Sequence, residues 1–228
     1  LAGDRIISVN DTAIAGVKMA QKEIMRRLRG PKGTKVNLGI VRRGIADTLR
    51  FVVTRDKIPL KTIDATYMIR PEGGYIRIGS FVATPHDEFC ESMKRLQQQG
   101  MKSLILDLQE NGGGYLHAAV KIADEFLQKN DLIVYTEGRR TQRSEYTADG
   151  SGLFTKGKVI VLVDSYTASA AEIVSGAIQD HDRGIVVGRR TFGKGLVQRP
   201  IDMPAGSMIR LTVAHYYTPS RRCIQQPY

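Results

Sequence analysis

Two predominantly apolar runs, Ser103 to Leu108 and Val159 to Asp164, constrain this chain more than any other feature. Neither run alternates apolar with polar residues, so each reads as a strand buried on both faces, which is characteristic of a sheet covered by helices on either side. Leu132 to Thr136 reads as a further buried strand, and Ile185 to Val187 as a shorter one. Between them lie helix-periodic stretches, one through Ala118, Ile122 and Phe126 and another from Ser169 to Gln179. Upstream, Gly74 to Phe81 reads as a strand. Thr84-Pro85-His86-Asp87 then offers an N-cap, a proline at the first helical position and an acid in the first turn of a helix reaching Gln99. Leu196 to Tyr217 reads as an antiparallel pair turning at Ala205-Gly206. The strand and helix alternation predicts an α/β domain with a substantially parallel sheet.

The first sixty residues have a different character. Arg5 to Asn10 alternates, Val17, Ile24 and Leu28 keep a helical period that ends at Gly30-Pro31, and Lys35 to Val41 and Thr48 to Thr54 read as strands around Arg43-Gly44. This is a small α+β unit with a short core. Lys57 to Lys61, interrupted by Pro59, reads as a linker. The expected division is residues 1–57, a linker at 58–66, and a main domain at 67–228.

Charge follows the same division. The net charge is +11, and residues 1–60 hold 13 Lys and Arg against 5 Asp and Glu. The basic run Met25 to Lys32 has no interleaved aromatic residues and reads as a solvated helix face, so nucleic acid is not an expected partner. Cys90 and Cys223 form no CxxC and have no histidine spacing suited to zinc, so they read as unlinked thiols and no metal is expected. No apolar run approaches the ~20 residues of a membrane helix. The chain opens on Leu1 without an initiator Met or a signal-like segment, and reads as a fragment whose targeting signal lies outside it.

Three segments carry candidate chemistry. Ser169-Ala170-Ala171-Glu172 is a capping box by pattern, and a serine opening a helix after a buried strand also lies where backbone amides and the helix dipole can stabilise an oxyanion. A serine hydroxyl needs a base to become a nucleophile. His86, His117, His181 and His215 fall into no triad motif. Lys194, in Thr191-Phe192-Gly193-Lys194-Gly195-Leu196-Val197-Gln198, could serve if it is neutral, and neutrality calls for burial. Gly188 to Lys194 also fits GxxxxGK, but Gly195 stands where a phosphate loop needs Ser or Thr, and the following residues read as a strand. Asp107 to Gly114 closes a strand with a glycine-rich turn, which serves either as a tight strand-to-helix connection or as a set of exposed amides for an anion.

The first sixty residues resemble a PDZ domain. Gly3-Asp4-Arg5-Ile6-Ile7-Ser8-Val9-Asn10 is similar to that family's Gly-Asp-x-Ile-x-x-Val-Asn run, and Gly33 to Val36 to its later turn and strand. The family's carboxylate-binding loop and adjacent strand would precede Leu1, so the domain would be partial. Asp107 to Gly114, Thr167 to Asp180 and Thr191 to Gln198, in that order and spacing, resemble the core of the bacterial C-terminal processing peptidases, or tail-specific proteases. The resemblance implies a crotonase-like ββα superhelical core, a serine endopeptidase acting near substrate C-termini through an acyl-enzyme, no cofactor, and an extracytoplasmic location. It implies Ser169 as nucleophile, Lys194 as general base, Gln198 orienting the lysine, and Gly113 and Ala170 as oxyanion-hole donors. Asp180 would be a structural support. The implied partners are proteins or peptides with free C-terminal tails, with peripheral membrane association left open. Gln109 and Gly112 depart from the family's arginine and proline, and Ala171 from its second serine. A catalytically silent peptide-binding scaffold of the same fold is the alternative.

Overall fold

The computed structural model describes residues 3–56, 62–82 and 85–227, and the chain divides into Leu1–Pro59 and Leu60–Tyr228. In the first unit, β1 (Arg5–Val9) and β2 (Thr12–Ala13) form a hairpin closed by Asn10 and Asp11 at φ 46° and 60°. Both central residues thus take the positive φ that suits a two-residue turn to the strand twist, and Asn and Asp are among the side chains that tolerate it. Helix α1 (Gln21–Leu28) precedes β3 (Lys35–Val41) and β4 (Leu49–Thr54), giving an antiparallel sheet in the order β2-β1-β3-β4. Val9, Ile14 and Val36 form its core, with Met19, Ile24, Leu28 and Leu38 packed against them. The helix begins after Val17, later than the periodicity implied. Its C-terminus is closed by Arg55, whose guanidinium donates to the carbonyls of Leu28 at 2.8 Å and Arg27 at 2.9 Å. A cation meeting unpaired carbonyls there also opposes the helix dipole favourably.

The second unit opens with β5 (Ile63–Arg70) and β6 (Gly73–Ile78), an antiparallel hairpin. The span expected to be linker, 58–66, therefore already contains the start of a strand. Pairing to the apolar β6 holds β5 in place, although its own pattern is only half apolar. Lys57 to Lys61 and the expected N-cap Thr84 lie outside the described residues. Next come α2 (Pro85–Gln98), β7 (Ser103–Asp107) and α3 (Leu116–Asp124). They are followed by β8 (Leu132–Gly138), β9 (Thr141–Thr147) and β10 (Lys158–Val163). The chain continues through α4 (Ala170–Asp180), β11 (Ile185–Gly188), β12 (Leu196–Asp202) and β13 (Met208–Tyr217).

The two apolar runs become the adjacent parallel strands β7 and β10 of a five-stranded sheet ordered β11-β10-β7-β6-β5, in which only β5 is antiparallel. The expectation of a parallel sheet fails at β8. That strand is buried as expected but joins a separate antiparallel sheet, β12-β13-β8-β9. The cause is its connection: β8 turns straight back into β9 through Arg139 and Arg140, and so short a link permits only antiparallel pairing. Phe81, Phe89, Phe126, Met93 and the inward faces of α3 and α4 fill the core between these layers.

Candidate active site

The ends of β7 and β10 are neighbours because the strands are paired, so the turns that follow them also meet. The Asp164 carboxylate, just past β10, accepts from the amides of Glu110 at 3.1 Å, Tyr166 at 2.9 Å and Thr167 at 3.0 Å. Thr167 Oγ1 donates to the Leu108 carbonyl at 2.8 Å, and the Ala168 amide to the Asn111 carbonyl at 2.9 Å. The glycine-rich turn is thereby laid against the residues leading to Ser169.

Ser169 stands at the N-terminus of α4 with φ 57° and ψ −115°, a sparsely populated conformation for a residue with a side chain. Such a backbone costs about 1–3 kcal/mol and persists only where its surroundings fix it. The surroundings here are Gly113 and Glu172. Gly113 is buried with φ 94°, and a Cβ added to it would lie 2.8 Å from Ser169 Cβ and 2.9 Å from the Ala170 nitrogen. Only glycine can bring the turn this close. The fully buried Asn111 side chain clamps that turn, donating to the Ile78 carbonyl at 2.7 Å and accepting from the Gly113 amide at 2.8 Å. The Gly113 N–H is thus engaged by Asn111. The Ala170 amide has no hydrogen bond among the described residues.

Glu172 makes the second connection. It is 5% exposed. One carboxylate oxygen accepts from the amides of Ser169 and Lys194, each at 2.8 Å; the other accepts from the Thr191 hydroxyl and the Gly193 amide, each at 2.7 Å. The Phe192 amide adds a bond to the Thr167 carbonyl at 2.9 Å. Two segments 25 positions apart in sequence are therefore joined through one carboxylate. The Lys194 side chain, however, is exposed, contrary to the expected burial, and no hydrogen bond joins its amine to Ser169 Oγ or to Gln198 among the described residues. The flanking Gly193 and Gly195 bring backbone close but supply no side chains to cover it. Gln198 is an exposed residue of β12 opposite Thr212. Ser169, Ala170, Gly113 and the Lys194 backbone are brought together; the Lys194 and Gln198 side chains are not joined to them by hydrogen bonds.

The model of peptidase family S41 matches residues 72–227. The chain belongs to peptidase family S41. Over 220 residues it is 39% identical to a carboxyl-terminal-processing protease of Synechocystis, covering 94% of this chain and 51% of that one. It is 36% identical over 230 residues to a carboxy-terminal-processing protease of Bartonella bacilliformis, covering 99% and 52%. The solved structure of a photosystem II D1 C-terminal processing protease matches with a TM-score of 0.66 at 32% identity, over 98% of this chain and 61% of that one. The chain spans about half the length of the curated relatives it matches.

Within this S41 chain, Gln109 is uncharged, and the positive charge near Asp107 comes from Arg77 of β6. Arg77 lies 3.9 Å from the Asp107 carboxylate and 2.8 Å from Glu110. Asp107 is buried and accepts from the Tyr75 hydroxyl; burial, together with that bond to a carboxylate, pushes the Tyr75 phenol up to about 12. Asp180 accepts from the Ser220 amide at 2.9 Å and from Arg222, fixing the turn after β13. Sequence reasoning missed Asn111, Asp164 and Thr167, each of which has one partner among the backbone groups of a distant segment: the Ile78 carbonyl, the Glu110 amide and the Leu108 carbonyl. It found only half of Glu172: spacing from Ser169 signalled the cap, and nothing signalled Thr191, Gly193 and Lys194.

Proposed function

We propose that the protein is a serine endopeptidase that cleaves protein substrates near their C-termini. Ser169 Oγ attacks the scissile carbonyl, Lys194 takes the hydroxyl proton and passes it to the leaving amine, and water then hydrolyses the acyl-enzyme by the same exchange. The Ala170 amide, at the positive end of α4, and the Gly113 amide, once released from Asn111, stabilise the oxyanion. Gln198 orients the lysine amine. Lys194 is exposed, so the loss of water that makes it a base comes when substrate covers it.

The observation that carries this reading is the Glu172 carboxylate, which fixes the strained Ser169 backbone and the Lys194 backbone to each other. A site that served only to cap α4 would use the Ser169 bond and have no need of the other three. In the same reading the core is of the crotonase-like ββα type, residues 1–57 are a partial PDZ domain, and the protein works outside the cytoplasm on peptides with free C-terminal tails.

Ser169→Ala and Lys194→Ala should each abolish cleavage of a tailed substrate by the full-length protein while leaving the melting temperature within a few degrees of wild type. Cleavage that persists in either variant would overturn the dyad. The rival reading, a silent peptide-binding scaffold, requires that a fluorophosphonate probe fail to label Ser169 in the wild-type protein.

A further inference from the structure

Outside the serine site, three side chains of different chemistry converge on one point. His86 and Cys90 are four residues apart in α2, and so lie on one face of the helix. Glu125, the residue that ends α3, reaches the same place from a second helix. His86 Nε2 lies 2.7 Å from Glu125 Oε1 and 3.4 Å from Cys90 Sγ, and Cys90 Sγ lies 3.2 Å from Glu125 Oε1. The same imidazole nitrogen faces both the thiol and the carboxylate. A Cys-His-Glu relay would need the two opposite ring nitrogens, one for each partner, so this arrangement is not a nucleophile with its base. Three potential ligand atoms from two helices within hydrogen-bond reach of one another can instead close on a common ion.

We propose that His86, Cys90 and Glu125 form a zinc-binding site. On a tetrahedral zinc ion with bonds of about 2.0–2.3 Å, neighbouring donor atoms stand about 3.3–3.6 Å apart. The observed 2.7–3.4 Å separations therefore require outward shifts of only about half an ångström. The first turn of α2 and the residue closing α3 are well placed to make them. A thiolate, a carboxylate and a neutral imidazole balance the 2+ charge, and the sulfur and nitrogen donors select zinc over magnesium or calcium. Binding replaces the thiol proton, which leaves to solvent, and involves no change of oxidation state. The site has outer support as well. The second oxygen of Glu125 accepts from the Leu153 amide at 2.7 Å, and the Glu125 carbonyl accepts from the Phe154 amide at 2.9 Å. This fixes the carboxylate as supporting residues do for metal ligands. The His86 side chain is 30% exposed and that of Glu125 is 9% exposed, so an ion can enter from the histidine side and leave the fourth position to water. Bound there, zinc joins α2, the end of α3 and the Leu153 segment. The HxxxC spacing within one helix turn is too short a pattern to announce itself in sequence, and the third ligand is 35 residues beyond Cys90.

The test is cobalt titration of the chelator-treated 228-residue chain. The site predicts one equivalent bound with a thiolate-to-cobalt charge-transfer band in the near ultraviolet and the intense visible bands of a tetrahedral ion, both removed by zinc. Cys90→Ser should abolish the charge-transfer band and Cys223→Ser should retain it. His86→Gln, at a partly exposed position, and Glu125→Gln should weaken binding at least ~10- to 100-fold. Zinc should also raise the melting temperature of the wild-type chain, as a ligand of the folded state does, and not that of the His86→Gln chain. Absence of the charge-transfer band in the folded wild-type chain, its persistence in Cys90→Ser, or its loss in Cys223→Ser would overturn the assignment. None of these readouts depends on peptidase activity.

Discussion

At the scale of single residues, Glu172 decides how the candidate site is held. Its four donors are three backbone amides and one hydroxyl, so the bonds satisfy main-chain groups that burial would otherwise strand. Glutamine at this position offers one acceptor oxygen and turns an N–H2 toward the other pair of donors. An orphaned buried donor costs about 1–3 kcal/mol, and for a chain of this length each kcal/mol lowers the melting temperature by about 2–4 °C. Glu172→Gln should therefore melt several degrees below wild type, and its Ser169 should react more slowly with a fluorophosphonate, because the strained elbow and the lysine segment are no longer fixed together. An unchanged melting temperature with unchanged labelling would refute this positioning role. The sequence made Ser169 and Glu172 legible as a capping pair, since that relation spans three residues of one helix. The carboxylate's remaining partners belong to a segment beyond β11, and no local pattern records such a meeting. Lys194 shows the converse error: apolar neighbours in sequence suggested cover, yet glycines on both sides leave its side chain in solvent.

Among the elements, α4 and the turns that follow β7 and β10 bring the site together; Asp164 pins the turn before α4, and Asp180, the last residue of α4, fixes the turn after β13. Burial alone would raise the Asp164 carboxyl, but the amides of Glu110, Tyr166 and Thr167 and the Thr167 hydroxyl outweigh it and hold the group below the usual carboxylate range. At Asp180 burial is likewise outweighed, by bonds from Ser220, Thr218 and Arg222, and its carboxyl is also held low. A carboxyl whose pKa is lower folded than unfolded binds fewer protons in the folded state. It contributes stability above its unfolded value, near ~3.9, and that contribution is lost as pH falls through the lower folded value. Melting curves should thus show Asp164→Asn less stable than wild type at pH 7, with the gap closing below about pH 4. A gap of constant size from pH 7 to pH 3 would exclude the charge as its source. β7, β10 and α4 were legible because their apolar patterns are long and unambiguous. β9 was not, since Thr141 to Thr147 carries almost no apolar residues and owes its strand form to the hairpin with β8.

For the whole molecule, what matters is how unequally the two units can bury apolar surface. Among the described residues of Leu1–Pro59, three hydrophobic residues are buried at its centre, Val9, Ile14 and Val36, and α1 contributes none that is fully buried. Its strand β4 leaves Phe51, Val52 and Val53 substantially exposed. In Leu60–Tyr228, β7 and β10 bury one face fully, through Leu104, Leu106, Val159, Val161 and Val163, while Ile105, Ile160 and Leu162 on the other face are only half-buried, short of the burial on both faces that the apolar runs implied; large fully buried side chains from α2, α3 and β6 pack about them. Stabilisation rises with the apolar area removed from water, and a domain of sixty residues is marginal by size alone. The division into a small basic unit and a larger α/β unit was legible because composition and periodicity change together near residue 60. The strand that opens the second unit was not, because β5 acquires its form from β6. Backbone opening should follow the same inequality. Hydrogen exchange of the intact chain should find the amides of β6, β7 and β10 the slowest, protected toward the global limit, while those of β1 and β3 exchange through a cheaper local opening. The measurement is decisive because β1 and β3, like β6, β7 and β10, each have a hydrogen-bonded strand on both sides. Equal protection in the two sets would show that hydrogen bonding, and not the size of the buried core, sets the stability of the first unit.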